Sequence, residues 1–530
     1  KLQGVVIIII DYKIYLKKNI YWLFSLLLCV SLFVATKFSY TNSDNAWYAM
    51  VGRGIAEGNI MLKGWVGSTM SHYFPYGLME AFWSLFIHRY DDAHALSIVS
   101  LSILLFAAMW LTLKILLGKN PRMFSMLTLA PIVIAMEPSM LADSFAHIAP
   151  LIPTLFIVCL YYGDQRDRKW TNCLTTFLIA CWSDAYCFVY FFIPLVLENI
   201  LFFLKTKKID SRLGWMVSGV TIYISRSIIL KKLRIGIFVP GIKAHLRAAK
   251  KLATFKNIGR KIVATYWGLM RLFSANFLGN TATRVLPNLC FALLLLISLW
   301  LHYNYSREIC KKKFPEERRF MVFLLISSLS IFGLLIFSTL LNHERYLVGP
   351  FLNSLIILGY WLNIKFDSDG KLAAISTITL LSSLLVQLNA GRYRMDQRLI
   401  DRRKMAAVIH QENLHGGYAW FDNAQSMNFI LNEQKIATIC DCPGTLCLWL
   451  VNKRTFCQNK FDFVLSLTDV RNGSMGWEDW ECENGNDVLK QFGIPKKTVD
   501  VGNVRLYIYD DITGVVKSAG LCDDISKKEY

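Results

Sequence analysis

The chain has 530 residues, a formal net charge of +20 and 54% hydrophobic residues, and only 18% of it is charged, against about a quarter in soluble domains. Its apolar residues come in long unbroken runs, and about 20 such residues carry a helix across a bilayer because a helix satisfies its own backbone groups there. These features exclude a soluble globular domain; the excess Lys and Arg read as loops beside anionic lipid, not as a nucleic-acid surface, because no nucleic-acid-binding module is recognisable.

The fold class is therefore a polytopic α-helical membrane protein. Eleven spans are predicted, at 19–36, 94–117, 122–138, 145–162, 171–185, 186–204, 214–230, 286–302, 320–341, 346–363 and 371–389. Lys13, Lys17 and Lys18 precede the first, which sets the N-terminal side as cytoplasmic. The loops with Lys114, Lys119 and Arg122, with Arg166, Arg168 and Lys169, and with Lys205, Lys207, Lys208 and Arg212 then also face inward, as does Arg307–Arg319. Eleven spans place the tail, 391–530, outside the membrane on the far face.

The first outer loop, 37–93, is long enough to hold structure of its own. After Asp44, apolar residues fall at Ala46, Trp47, Met50, Val51 and Ile55, which is helical spacing, and Gly58 ends the pattern. Asp is a favoured residue at a helix start, so its position alone is met by capping. A second short helix, "YGLMEAFWSLFI", suits the membrane interface. The other long outer segment, 231–285, has twelve Lys or Arg from Lys231 to Arg284 and no Asp or Glu. Its middle reads as a basic amphipathic helix or pair, apt for lipid headgroups or for a phosphate-bearing lipid.

The tail alternates strand-like and helix-like stretches: "GGYAWFD", "AQSMNFILNE", "KIATIC", "FDFVLSL", "NDVLKQFG" and "VRLYIYD". This predicts a small α/β layer domain. It also holds six cysteines, Cys440, Cys442, Cys447, Cys457, Cys482 and Cys522, an even number that permits disulfides outside the cytoplasm.

"DNAWYAMVGRGIAEGN" resembles the stretch after the first membrane helix of the GT-C class, the integral-membrane glycosyltransferases that use polyprenyl-phosphate sugars. It is most similar to the aminoarabinose transferases of lipid A and the protein O-mannosyltransferases and their bacterial relatives. Asp44, Tyr48, Arg53, Glu57 and Gly58 follow their order. "SHYFPYGLMEAFW" resembles the element that follows, with His72. "ADSFAHIAPLIPTLFIVCLYY" resembles their second acidic site, with Asp143. "NHERYLVGPFLNSLIILGYWL" resembles their Arg-Tyr-Leu element, with Arg345 and Tyr346. The resemblance covers about 1–390. Asn45 stands where a second acidic residue is frequent, which leaves dependence on a divalent metal open; no metal ligands are assigned.

The resemblance implies transfer of a sugar from a polyprenyl-phosphate-linked donor to a glycolipid, glycan or protein acceptor, at the outer face of a bacterial inner membrane and without nucleic acid. A carboxylate must deprotonate the acceptor hydroxyl, and Asp44 is the candidate general base, with direct attack inverting the anomeric centre. Asp143 is the candidate second carboxylate, to bind or orient. Arg345 is the candidate cation for the departing phosphate, since Arg grips phosphate through two parallel hydrogen bonds. Arg226 lies inside an apolar run, where charge is costly and often functional. Lys231, Lys232 and Arg247 are candidates for the phosphate or the membrane, and His72 for the acceptor. Arg53 is a further binding candidate, although its spacing suits an ion pair with Glu57. The alternative from another class is a transporter or flippase of anionic lipid-linked substrates, for which inverted repeats would be expected.

Overall fold

A computed structural model describes residues 2–39, 43–60, 62, 65–66, 73–136, 138–163, 168–181, 186–233, 255–275, 282–311, 319–338, 344–366, 368–389, 395–441, 445–446, 451–452, 460–467, 488–489 and 492–514. The helices in chain order are α1 (Leu2–Phe38), α2 (Ser43–Ala56), α3 (Leu78–Ser84), α4 (Tyr90–Leu117), α5 (Met123–Ala135), α6 (Pro138–Tyr162) and α7 (Arg168–Ala180). They continue with α8 (Ile193–Thr206), α9 (Arg212–Leu233), α10 (Phe255–Leu272), α11 (Ala282–Lys311), α12 (Arg319–Phe337), α13 (Val348–Lys365) and α14 (Asp369–Asn389). In the tail come α15 (Gln397–Gln411) and α16 (Phe421–Leu431).

Among the described residues, six helices are long and apolar enough to cross a membrane: Tyr21–Phe38, Tyr90–Leu117, Phe188–Thr206, Val285–Glu308, Arg319–Phe337 and Asp369–Asn389. This corrects the expected eleven. The predicted spans that fall short are α5, α6, α7, α9 and α13; α5 and α13 are apolar because neighbouring helices surround them, whereas α7 and α9 expose large apolar side chains. α5 has 13 residues, about 20 Å of helix against a hydrocarbon core of about 30 Å, and nearly every one of its side chains is buried. α13 is likewise enclosed, and it carries two buried asparagines. Asn353 donates to the Leu324 carbonyl and to Ser328 of α12, both at 3.1 Å, and accepts from the Tyr190 hydroxyl at 2.7 Å. Asn363 donates to Ser125 of α5 at 2.8 Å. Polar groups of this kind join apolar helices where the hydrophobic effect between them is weak.

One end of this bundle is closed by buried and half-buried ion pairs. Arg319, at the start of α12, pairs with Glu198 of α8 at 2.5 Å and with Asp210 at 3.1 Å, and its guanidinium lies 4.0 Å over the Phe202 ring. Arg212 grips the same Asp210 through two contacts of 2.9 and 2.7 Å. At the far end of α4, the Arg122 backbone N–H donates to Asn363 at 2.8 Å.

The opposite end carries α2, α3, the start of α4 and the tail. The tail's main sheet has the order β4-β3-β2-β6-β8-β7, from β2 (Gly417–Trp420), β3 (Ile436–Asp441), β4 (Thr445–Leu446), β6 (Phe463–Leu467), β7 (Lys497–Val501) and β8 (Val504–Ile508). β3, β2 and β6 run parallel and the other pairings are antiparallel. Met405 and Ile409 of α15 with Ala424 and Met427 of α16 cover one face, and Tyr418, Phe461, Val464 and Tyr507 gather on the other. The tail touches the membrane body directly. α16 packs on α2, and a two-stranded sheet joins β1 (Trp65–Val66) of the first loop to β5 (Val451–Asn452). Of the six tail cysteines only the backbone of Cys440 falls in a described strand, β3; the disulfides that their number permits lie outside the described residues.

Candidate functional site

The apolar spacing after Asp44 does form a helix. α2 begins one residue before Asp44, buries Ala46, Trp47, Met50 and Val51, and ends ahead of Gly58, whose φ of +97° suits glycine. Its neighbour is fixed by a close approach: a Cβ on Gly52 would lie 2.3 Å from the Glu80 Cβ of α3. Below the first turn of α2, buried Asn45 accepts from the Tyr76 hydroxyl at 3.2 Å, and the Tyr48 and Tyr76 rings sit 4.5 Å apart. An aromatic floor thus holds the helix end that carries Asp44.

Three further elements follow from α2 in a chain of contacts. α6, which carries Asp143 in its second turn, packs against α2 and against the π-helical turn Tyr73–Gly77. A 3₁₀ turn, Glu344–Leu347, carries Arg345 and Tyr346 and packs on both α6 and α10. That turn is held from the side: the Tyr186 hydroxyl donates to the Tyr346 carbonyl at 2.7 Å and accepts from the Gly349 N–H at 3.3 Å. A Cβ on Gly349 would come within 2.4 Å of the Tyr190 ring, so the start of α13 lies directly against it. α10 buries Thr265, Leu269, Met270 and Leu272 and leaves Ile262, Val263, Tyr266 and Trp267 about half exposed. Basic and amphipathic, it has the make-up of an interfacial helix.

The candidates divide as follows. Asp44, Asp143, Arg345, Arg226, Lys231 and Lys232 have their backbones in α2, α6, the 3₁₀ turn and α9, and their side chains lie outside the described residues. His72 and Arg247 lie outside them altogether. Tyr346 is half-buried beside Tyr186, with ring centroids 6.4 Å apart. Arg53 forms the pair with Glu57 that its spacing suits, at 2.8 Å, and its remaining nitrogens reach the Ser84 carbonyl at 3.0 Å and His88 at 2.9 Å. It ties α2 to the turn before α4. Among the described residues no group of three or more His, Cys, Asp or Glu could hold a metal ion.

One buried pair was not foreseen. Glu80 of α3, fully buried, meets His94 Nδ1 of α4 at 2.7 Å, and among the described residues its second oxygen has no hydrogen-bond partner. His94 lies edge-on to Phe429 of the tail, 5.8 Å between centroids. A carboxylate on the inner face of an otherwise apolar short helix was the sequence signal.

The fold defines a polytopic helical membrane protein that carries a small α/β domain at one end. No protein-family model and no curated protein matches the chain. Among solved structures it is similar to that of the arabinofuranosyltransferase AftD from Mycobacteria, with 11% identity and a TM-score of 0.41, over 92% of this chain and 40% of that one. The chain therefore spans about two fifths of the length of that protein.

Proposed function

We propose that the protein is a membrane glycosyltransferase of the GT-C type, moving a sugar from a polyprenyl-phosphate donor to an acceptor hydroxyl at the outer face of a bacterial inner membrane. The observation that supports it is contiguity. α2 packs on α6, α6 on the 3₁₀ turn, and the 3₁₀ turn on basic α10, so a chain of contacts links the four elements. These four elements carry a base, a second carboxylate, a guanidinium and a cationic lipid-facing surface. In this reading the Arg319 end, flanked by short basic loops, is cytoplasmic, and the site and the tail lie outside.

In this reading Asp44 takes the proton from the acceptor hydroxyl as its oxygen attacks the anomeric carbon, and the bond to the lipid phosphate breaks on the opposite face. Arg345 neutralises the charge that develops on the departing phosphate. Arg226, Lys231, Lys232 and Arg247 draw the donor's phosphate toward it, and Asp143 orients the acceptor with His72. Asp44→Asn in nanodiscs should lower transfer from a radiolabelled polyprenyl-phosphate sugar by about 10²-fold or more with an unchanged melting temperature. Asp143→Ala should cost less. Undiminished turnover in Asp44→Asn removes the proposal, and retained transport of a lipid-linked substrate in its place favours the flippase reading.

A further inference from the structure

Where the tail meets the start of α4, a cavity of about 330 Å³ opens between α1, α4, α15 and α16. Its described lining draws on neither α2 nor the 3₁₀ turn. Three cations and two carboxylates meet at its wall. Lys37 pairs with Asp92, while Asp91 is held by Arg89 at 2.8 Å and shared with Arg403 of α15 at 3.3 Å. One positive charge is in excess. His94 also lines the cavity and is paired behind it with Glu80 at 2.7 Å. Tyr90 and Phe429, with ring centroids 6.3 Å apart, form an apolar wall. The volume is at the lower end of ligand pockets, about 300–1,000 Å³, and would hold a single sugar ring.

We propose that this cavity binds one anionic sugar unit that bears a carboxylate or a phosphate. The apolar face of the ring would lie on Tyr90 and Phe429, its hydroxyls would donate to Asp91, and its carboxylate or phosphate would sit on Arg403 and Lys37. Only the origin of the sugar, as part of the acceptor, rests on the glycosyltransferase reading. The test is titration calorimetry on the full chain in nanodiscs with glucuronic acid, glucose 1-phosphate, glucose and inorganic phosphate. The two anionic sugars should bind and glucose should not, and the tighter of the two identifies a carboxylate-bearing or a phosphate-bearing source. Arg403→Gln should weaken binding about tenfold or more. Ala407→Trp, which fills the cavity from an exposed position without removing a charge, should abolish it. Asp44→Asn should leave it intact, so a failure of the catalytic reading and a failure of this one are separable. Equal binding of glucose, phosphate competing as well as the sugars, or binding that survives Ala407→Trp overturns the proposal. If Arg403→Gln does not fold, Ala407→Trp alone decides.

Discussion

Glu80 and His94 illustrate how a single contact can matter more than its neighbours. Neither side chain meets water, so each depends on the other for its polar partner. Glu80→Ala removes the only described acceptor of His94 Nδ1 and leaves an imidazole buried among Tyr76 and Phe429. The expected loss is about 1–3 kcal/mol, read as a lower melting temperature in detergent, and Glu80→Gln should recover much of it. The sequence could mark Glu80 but not its partner, because residues 80 and 94 sit on two helices separated by a turn. Periodicity describes which face of one helix is apolar and says nothing of what that face meets. Arg53 was different: its partner Glu57 lies one turn along the same helix, and local spacing was enough.

At the scale of elements, the α2–α3 contact is the tightest test of the site's scaffold. Gly52→Ala would drive its Cβ to within 2.7 Å of the Glu80 backbone carbonyl carbon, where no flexible side chain can yield. The helices must move apart, and Asp44 moves with α2. Transfer and thermal stability should fall together in Gly52→Ala; full activity would mean that α2 is free to shift. The helix after Asp44, the basic amphipathic helix and four tail strands were legible, because each combines a local pattern with clear turn residues. β7 was not. Its side chains are mostly exposed, so it lacks the apolar alternation of a half-buried strand, and it is defined by pairing with β8 across the turn at Gly502, φ +59°. The basic segment was read as helical from 242 to 273, and the structure describes the helix from Phe255 to Leu272. The count of spans failed for a related reason. Hydropathy measures how apolar a segment is, not whether lipid or protein surrounds it, and α5 and α13 are apolar because they are the interior.

At the scale of the whole molecule, the two ends have different chemistry. The cytoplasmic end by our reading is closed by Arg319, Arg212, Glu198 and Asp210. Burial pushes the Asp210 carboxyl up, but its hydrogen bonds and attraction to Arg212, helped by Arg319, outweigh this and hold it well below the usual carboxylate range. A depressed value in the folded chain means stability that is present above the unfolded pKa, about 3.9, and lost as the pH falls through the folded value. Acid should therefore loosen this end, and Asp210→Asn should flatten the decline of melting temperature below about pH 4. Arg319→Met leaves buried Glu198 without its cation and should cost about 3–5 kcal/mol, measured by denaturant or thermal unfolding in detergent. A change near zero would show that Tyr162 and Asn199, which also contact Glu198, suffice.

The other end has its own dependency. Arg89, at the start of α4, supplies no side-chain cap, and the first N–H of that helix, on Tyr90, donates instead to the side chain of Asn432 at 2.8 Å. The acceptor that finishes a membrane-crossing helix is thus translated more than three hundred residues after the helix itself. During synthesis α4 emerges 342 residues before the side chain that accepts from its first N–H. A chain cut short within that interval lacks this acceptor, so the start of α4 is completed only once the tail has folded against it.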